Sequence, residues 1–321
     1  MAKVTVVIPN YNGKVFLNDC LKSLRKQTFK DFDIIMVDNG SSDDSISFVK
    51  KNYEEVQVMD LHENTGFAHA VNEGIKASSG EFVFLLNNDT ICDERAIEAL
   101  YKAMNSKKML FSAQAKMLQV KEPHNIDDSG DLYCALGWAF SPGRDKDNKY
   151  YSHREAVTSA CAGAAMYRKA VFEEIGYFDD AHFCYLEDVD VGYRARLYGY
   201  INVCEPSSIV YHVGSASSGS RHNEFKVELT AANNLYLIYK VMPIYQLILN
   251  LPLILLGIII KHAFYSSKGL GKAHVKGLLK GFSKIHKNSD KRVPFGRRQL
   301  LNSLKLQLEL WINCARRVGV V

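Results

Sequence analysis

Residues 81–90, EFVFLLNNDT, decide the fold. Five consecutive apolar residues run into Asn87, Asn88 and Asp89. An apolar run of this length that ends on turn-forming residues predicts a strand buried on both faces, as in the parallel sheets of α/β proteins. Ligands of such sheets bind beyond the carboxyl ends of the strands. Asp89 is therefore a candidate ligand-binding carboxylate, although an Asp in this position more often caps a helix.

Strand and helix patterns alternate four times in the first 90 residues. Strand-like runs occur at 4–8, 32–37 and 56–61, and helical patterns lie between them, the last at 67–77. This alternation predicts a doubly wound, mostly parallel sheet. Three of the four strands end in short polar residues, which should lie along one edge of the sheet, although ordinary turn chemistry would also explain them.

Several classes of protein are disfavoured by motifs that the sequence lacks. The first strand is not followed by G-x-G-x-x-G, and the chain has no G-x-x-x-x-G-K-[ST], which disfavours a dinucleotide site and a P-loop. The 7 cysteines are scattered without C-x-x-C spacing, which disfavours zinc binding. Their odd number and the absence of signal-peptide features at the N-terminus indicate a cytoplasmic protein.

The middle of the chain has less periodic sequence. Residues 119–154 are polar and surround Trp138, and we expect a loop that covers a substrate. Residues 160–166 are mostly small, a pattern that suits either the close approach of a ligand or tight packing.

A second cluster of acidic residues lies at Glu187, Asp188 and Asp190. We expect the acids to stabilise a helix N-terminus, with one of them also chemically active, and Arg194 and Arg196 to neutralise them. Further on, the Gly- and Ser-rich residues 214–220 predict a lid or hinge.

Seven segments together resemble family 2 glycosyltransferases with the GT-A fold, and are most similar to a bacterial rhamnosyltransferase-like subgroup. They are the segment 163–179 and the motifs VTVVIPNYNG, IIMVDNGSSD, ENTGFAHAVNEGI, LLNNDT, YLEDVDVGYRARLYGY and VYHVGSAS, in the family's order over about residues 3–218. The resemblance implies an α/β catalytic domain over 1–220, with a nucleotide-sugar half to about 118 and an acceptor half over 119–220.

The resemblance also implies roles for individual residues. Asp188, with Glu187 beside it, would be the catalytic base, and Asp89 and His212 would hold Mg²⁺ or Mn²⁺ on the donor's diphosphate. Asn87 stands where many relatives carry a carboxylate. The expected donor-binding residues are Pro9, Asn10, Tyr11, Asn12, Asp38, Asn64, Gly66, Asn72, Asn87 and Asn88. The expected acceptor-binding residues are Trp138, Gly163 and Ala164.

The C-terminal region 221–321 differs from the rest in charge. Residues 261–321 contain 14 Lys and Arg against 2 Asp and Glu, a net charge of +12, so with +5 overall the first 260 residues carry −7. Residues 241–260 are uncharged, and a lysine recurs every fourth position from Lys268 to Lys284. The pattern predicts basic amphipathic helices that bind an anionic membrane surface, with a helix packed on the catalytic domain as the alternative. Nucleic-acid binding is disfavoured.

The leading hypothesis is an inverting, metal-dependent glycosyltransferase at the cytoplasmic face of the membrane. It would move a sugar from a nucleoside-diphosphate sugar, with dTDP-rhamnose favoured over a UDP-sugar, to a saccharide or lipid-linked saccharide. The alternative is a non-catalytic module that binds a nucleotide sugar and a membrane, and a homo-oligomer is compatible with either. A nucleotidyltransferase is disfavoured because PNYNG offers one Gly and no Arg.

Overall fold

A mixed sheet, with ten strands among the described residues, forms the centre of the protein. The computed structural model describes residues 2–214 and 222–319, so most of the predicted lid lies outside the described residues. The strands, those of a separate small hairpin included, are β1 (Val4–Asn10), β2 (Phe32–Asp38), β3 (Val56–Asp60), β4 (Phe82–Leu86), β5 (Thr90–Cys92), β6 (Leu110–Gln119), β7 (Ile126–Asp128), β8 (Leu132–Cys134), β9 (Trp138–Phe140), β10 (Glu155–Val157), β11 (Ala164–Arg168) and β12 (Ile201–His212).

Helices cover the sheet and form the C-terminal region. They are α1 (Lys14–Arg25), α2 (Ser45–Asn52), α3 (Phe67–Ala77), α4 (Ala96–Ser106), α5 (Lys169–Ile175), α6 (Glu187–Leu197), α7 (Glu224–Val241), α8 (Ile244–Ser267), α9 (Gly271–Lys287) and α10 (Arg297–Arg317). The predicted α/β class, with a helical C-terminal region, is confirmed.

The strand order is β10-β12-β6-β11-β4-β1-β2-β3. Strands β4, β1, β2 and β3 are parallel, β12 is parallel to β6, and β11 runs antiparallel between β4 and β6. The parallel arrangement predicted for the first four strands is therefore confirmed. Their carboxyl ends meet at one edge of the sheet.

Strand β4 is buried on both faces, as its apolar run predicts. Phe82, Phe84 and Leu86 pack on one side of the sheet with residues of α1 and α4, while Val83 and Leu85 pack on the other with residues of α3 and α5. Burial of each such side chain contributes about 1.5–3 kcal/mol. The strand that presents the NND motif is thus fixed by the core on both sides.

Residues 119–154 do not form the loop expected from their composition. Strand β7 pairs with β6, and β8 and β9 form a hairpin. The hairpin packs on the C-terminal helices, where the Trp138 indole N–H donates to the Gly257 carbonyl at 3.3 Å and Asn313 Nδ2 donates to the Tyr133 carbonyl at 2.9 Å. Trp138 therefore lies against α8. The sequence does not show the alternation typical of strands here, because β7, β8 and β9 are each only three residues long.

The C-terminal helices pack on one another and on the domain that contains the sheet. Helix α9 crosses α7 so closely that a Cβ on Gly277 would lie 2.4 Å from the Glu228 carbonyl oxygen. At this crossing Lys276 and Lys280 form ion pairs with Glu228. The uncharged run 241–260 falls mainly in α8, with Pro243 just before it and Pro252 inside it. Among the described residues, α8 is the one helix long and apolar enough to cross a membrane.

Candidate active site

A chain of buried hydrogen bonds links the carboxyl ends of three parallel strands. Asn88 Nδ2 donates to Asn10 Oδ1 at 2.7 Å, and Asn10 Nδ2 donates to Asp38 Oδ2 at 2.8 Å. The backbone N–H of Ser41 donates to the other Asp38 oxygen at 2.8 Å. The three side chains are almost fully buried. The predicted gathering of the polar strand ends at one edge is confirmed, and the edge is a preorganised polar surface.

The loops after β1 and β2 hold each other through Asn12. This residue adopts φ +50°, and its side-chain oxygen accepts from the backbone N–H of Ser42 at 2.8 Å and of Asp43 at 3.3 Å. Pro9 lies within β1, and the Tyr11 ring is 44% exposed at the surface beside this junction. An exposed aromatic ring next to Asp38 could stack on a flat ligand.

The loop at residues 64–66 is fixed by Asn39, which the sequence analysis did not single out. Asn39 Nδ2 donates to Asn64 Oδ1 at 3.1 Å and to the Gly66 carbonyl at 3.2 Å. Gly66 has φ +89°, and a Cβ there would lie 2.5 Å from the Phe183 ring, so this position requires glycine. Asn64 and Gly66 therefore lie beside the polar edge, as expected.

Asn72 is occupied by other contacts. Its Nδ2 donates to the Phe178 carbonyl at 2.7 Å and to Asp180 Oδ1 at 2.9 Å, while its oxygen accepts from the Phe178 N–H at 3.0 Å. These bonds hold α3 to the segment before α6. Asn72 thus joins helix α3 to residues 178–180.

Asp89 and His212 lie next to each other. His212 Nε2 is 3.3 Å from Asp89 Oδ1, and its Nδ1 is 2.7 Å from Asp127 Oδ2. Burial alone would lower the pKa of His212, but the hydrogen bonds with Asp127 and Asp89 raise it to about 10. Asp127 is itself paired with Arg144 Nη2 at 3.3 Å. The imidazole is thus held between two carboxylates, one of which the sequence analysis missed.

This Asp–His pair could hold a divalent cation. An oxygen and an imidazole nitrogen side by side are a donor set that Mn²⁺ or Mg²⁺ accepts, and Asp127 on the second ring nitrogen would orient the imidazole. Within residues 2–214 and 222–319, no three or more His, Cys, Asp or Glu side chains are arranged so that they could all hold one metal ion. The remaining ligands would then have to come from solvent or from a bound phosphate.

Asn87 and Gly163 meet directly. The Asn87 N–H donates to the Gly163 carbonyl at 2.9 Å, and a Cβ on Gly163 would lie 3.1 Å from Asn87 Nδ2. Gly163 therefore belongs to the same edge as the NND motif. Ala164 is different, since it begins β11 opposite Leu86 and is fully buried in the core. The position of Ala164 does not favour a direct contact with an acceptor.

Asp188 occupies the first turn of α6, where it is partly buried. Its Oδ1 accepts from the Val189 N–H at 2.8 Å, and the Ala162 N–H also hydrogen-bonds to the carboxylate. Ala162 precedes the glycine that contacts Asn87, so Asp188 is linked to the NND motif by a short backbone path. Burial, together with the charge of Asp128, raises the pKa of Asp188 to about 6. Such a carboxyl group can exchange a proton near neutral pH.

The other two acids of this helix have different environments. Glu187 is buried, its Oε2 has no hydrogen-bond partner among the described residues, and burial and Asp188 raise its pKa. Asp190 accepts hydrogen bonds from Arg194 and Lys240. The predicted neutralisation by Arg194 is thus confirmed for Asp190. Arg196 instead pairs with Glu309 on α10, so its predicted role is wrong.

Two further acids, Asp128 and Asp131, belong to the same electrostatic environment as Asp188. Burial raises the pKa of both carboxyl groups, and for Asp131 the charges of Asp128 and Asp188 raise it further. Asp128 Oδ1 accepts from Gln114 Nε2 at 2.6 Å. The residues around β7 therefore add two buried carboxyl groups to the surroundings of Asp188.

Comparison with known proteins identifies the class of this fold and its site. The GT-A-type α/β architecture is shared with the mannosyltransferase PcManGT from Pyrobaculum calidifontis, solved in complex with GDP-Man and Mn²⁺. The TM-score is 0.57 at 15% identity, and the match covers 99% of this chain and 83% of that chain. Residues 5–176 match the family described as "Glycosyl transferase family 2". The match spans more than half of the chain, which therefore belongs to glycosyltransferase family 2.

Two curated relatives match shorter stretches. Glycosyltransferase GlyG of Streptococcus pneumoniae is 34% identical over 108 residues, which are 32% of this chain and 36% of the relative. The poly(ribitol-phosphate) beta-N-acetylglucosaminyltransferase TarP of Staphylococcus aureus is 36% identical over 106 residues, 32% of each chain. The chain thus spans about a third of the length of these relatives.

Proposed function

We propose that the protein is an inverting glycosyltransferase that moves a sugar from a nucleoside-diphosphate sugar to a hydroxyl group of a saccharide. The observation that carries the proposal is the common edge of Asn10, Asp38 and Asn88, with the Asp89–His212 pair beside it and Asp188 one backbone step away from Asn87. Family membership supports the reaction class. In this proposal the edge would provide a donor site, a cation site and a base close to one another.

In this proposal the donor nucleotide lies along the loops that follow β1, β2 and β3. Asp38 has one oxygen engaged by Asn10 and the other by a backbone N–H, so the carboxylate is held in one orientation. In this orientation it can accept hydrogen bonds from a nucleobase or ribose, and Tyr11 can stack on the base. Asn64 and Gly66 close the pocket.

The Asp89–His212 pair would hold a divalent ion against the diphosphate. Mn²⁺ in the PcManGT structure, which shares the fold, supports the presence of a divalent metal. The bound ion would offset negative charge on the departing diphosphate. The metal requirement follows from the charge that a nucleoside diphosphate carries, and the Asp127 contact would keep Nε2 of His212 turned toward the ion.

Asp188 would act as the base. As the acceptor oxygen attacks the anomeric carbon, its proton passes to the Asp188 carboxylate and the bond from the sugar to the diphosphate oxygen breaks. One displacement of this kind inverts the configuration at the anomeric carbon. Burial and the adjacent Asp188 raise the pKa of Glu187, and Asp190 is engaged by Arg194 and Lys240, so Asp188 is the carboxylate of this turn that is left to act as the base.

The proposed acceptor is a lipid-linked saccharide of a cell-surface polysaccharide, and the relative TarP acts in a comparable setting by its name. We favour dTDP-rhamnose as donor, with UDP-sugars as the alternative.

A thermal-shift screen of nucleotides with and without Mn²⁺ would identify the nucleotide, since ligand binding raises apparent stability. Transfer assays with membrane extract would then follow nucleotide release. We expect Asp188→Asn to reduce kcat by about 10²–10⁴-fold. No turnover with any donor, or wild-type rates in Asp188→Asn, would overturn the proposal. Donor binding without transfer would favour the non-catalytic module.

The C-terminal helices support a location on the inner face of the cytoplasmic membrane. One side of α8 is held by the protein, since Asn250 exchanges hydrogen bonds with Gln307 on α10 and Gln246 Nε2 donates to the Ser303 carbonyl. The other side carries apolar side chains that are about half or more exposed, as do parts of α9 and α10. They include Ile248, Ile259, Leu279, Phe282, Leu304 and Leu308. A helix docked along one side suits lying on a bilayer better than crossing it.

Vesicle binding tests this location. Co-sedimentation should be strong with vesicles that contain phosphatidylglycerol, weaker with pure phosphatidylcholine, and reduced by salt, because lysines flank the apolar residues. Ile259→Glu should weaken it, whereas Val15→Glu, an exposed site on α1, should not. Resistance to carbonate extraction would instead indicate a spanning α8. A stable dimer that ignores vesicles would indicate a second copy of the chain on these helices.

A further inference from the structure

The loop that leads into the catalytic helix has an unfavourable backbone conformation. Phe183, Tyr185 and Leu186 have φ values of +62°, +69° and +68°, and the next residue is Glu187. Side-chain-bearing residues adopt left-handed conformations at a cost of order 1–3 kcal/mol each. Three of them within four residues require other contacts to hold them. The loop directly precedes Asp188, so these contacts also decide where the proposed base lies.

Asn233, from the C-terminal helix α7, supplies those contacts. Its Nδ2 donates to the carbonyl oxygens of His182 at 2.8 Å, Cys184 at 2.9 Å and Tyr185 at 2.9 Å. The side chain is fully buried. Its oxygen accepts from Lys284 Nζ on α9, so donors and acceptors allow only one orientation of the amide. One amide group therefore fastens three carbonyls of the left-handed loop.

The same loop also reaches the donor side of the cleft. The Phe183 carbonyl accepts from the Ala68 N–H at 3.1 Å, at the start of α3. The Phe183 ring lies against Gly66, in the loop that Asn39 fixes. The segment 183–186 therefore connects the proposed donor pocket with the proposed base, and Asn233 holds it from behind.

We propose that Asn233 is a positioning residue for glycosyl transfer, through which helix α7 sets the position of Asp188 relative to the donor. The proposal rests on the proposed function. Asn233 is too deeply buried behind the loop to touch substrate, so it acts through the backbone that it holds. The C-terminal region would then contribute directly to catalytic geometry, in addition to any contact with a membrane.

The test compares Asn233→Asp with Asn234→Asp. The first change replaces the donor of three hydrogen bonds with a carboxylate oxygen that faces three carbonyls. The second makes the same chemical change one residue along the helix, where the Asn234 oxygen accepts from Tyr133 Oη at 3.1 Å. Each lost hydrogen bond should lower kcat by about tenfold or less, so we expect kcat of Asn233→Asp to fall about 10–100-fold. Binding of the donor nucleotide should fall by less than kcat does, because Asp38 and its partners are untouched and only the contact of Phe183 with Gly66 reaches the donor pocket.

The pH profile and hydrogen exchange separate positioning from general destabilisation. Once the loop is loosened, the surroundings of Asp188 change, so the acidic limb of kcat should shift in Asn233→Asp and stay in place in Asn234→Asp, which adds the same charge one residue along the helix. Amide protons of residues 183–189 should exchange faster in that variant than in Asn234→Asp. Lys284→Met removes only the partner of the Asn233 oxygen, so kcat and amide exchange should change in the same direction but by less. This variant also serves as the test if Asn233→Asp does not fold.

The outcomes distinguish this proposal from the proposed function. If the wild-type protein transfers no sugar from any donor, the proposed function fails, and exchange of the 183–189 amides still decides whether Asn233 holds the loop. If the wild type is active, the proposal is overturned when Asn233→Asp has the kcat, pH profile and amide exchange of the wild type. If Asn233→Asp does not fold, the same result in Lys284→Met overturns it. An equal loss in Asn234→Asp would overturn it as well.

Discussion

Replacing Lys240 with methionine is expected to destabilise the protein by about 3 kcal/mol. Lys240 Nζ lies 2.7 Å from Asp179 Oδ2 and 2.9 Å from Asp190 Oδ2, and all three side chains are buried. Removing one partner of a buried ion pair typically costs about 3–5 kcal/mol, since the remaining charge is left in a poorly solvated site. The lower end applies because Asp190 keeps Arg194 and Asp179 keeps other donors.

The control is Lys291→Met. Lys291 binds the other oxygen of Asp179 at 2.8 Å, but its side chain is 40% exposed. Pairs with an exposed partner contribute roughly 0–1 kcal/mol, so this variant should lose little stability. The two variants remove the same chemical group from the same carboxylate and differ in the burial of the lysine.

Denaturation in urea, followed by fluorescence, measures both variants, and pH provides a second check. Burial alone would raise the pKa of Asp179 and Asp190, but Lys240 and other cations lower both below the ordinary carboxyl value. A lowered pKa stabilises the fold above about pH 4, the unfolded value, and this contribution is lost as the pH falls further. The gap between wild type and Lys240→Met should therefore narrow below about pH 4. A loss under 1 kcal/mol at pH 7, or a gap that widens in acid, would refute the reasoning.

Three further predictions concern the cleft. The wild-type kcat should rise with pH through about 6, because burial raises the pKa of Asp188 to about 6 and the base is ionised only above it; an acidic limb near pH 4 would contradict this. Asp127→Asn should weaken Mn²⁺ binding in the presence of the donor nucleotide by about 10–100-fold, measured by titration calorimetry, because His212 loses its orienting partner. Gly66→Ala should weaken nucleotide binding, since its Cβ would meet the Phe183 ring, whereas Gly269→Ala, at a similar positive φ but with open space around it, should not.

Periodic segments were predictable from the sequence because their pattern is set locally. The strand at 82–86 shows its burial on both faces in its own composition, and α3 begins and ends where the spacing predicts. The common edge of Asn10, Asp38 and Asn88 was predictable as well, since parallel strands place their carboxyl ends together. Their hydrogen-bond order was not, because it depends on rotamers that only packing fixes.

The sequence analysis missed residues whose roles depend on contacts far along the chain. Asp127 meets His212 across 85 positions, and Asn233 meets the 182–185 loop across about 50. The acids in NIDDSGD, residues 125–131, did offer a signal, since carboxylates in a polar insertion are candidate ligands. For Trp138 the sequence did not reveal the contact with α8, because an aromatic residue in an aperiodic segment suits a substrate cover and a packing anchor equally well.

The interlocking of α7 with the sheet domain has a consequence for how this protein can be divided or recombined. Residues 1–220 resemble a self-contained unit in sequence, yet the helical region supplies the ammonium group that neutralises two of its buried carboxylates and the amide that fastens its loop. A truncated sheet domain would expose unpaired charges and an unsupported loop. Chimeras between relatives should therefore inherit Asp179, Asp190, Asn233 and Lys240 together from one parent. A chimera joined near residue 220, where the strands end and the helices begin, would separate these interacting residues.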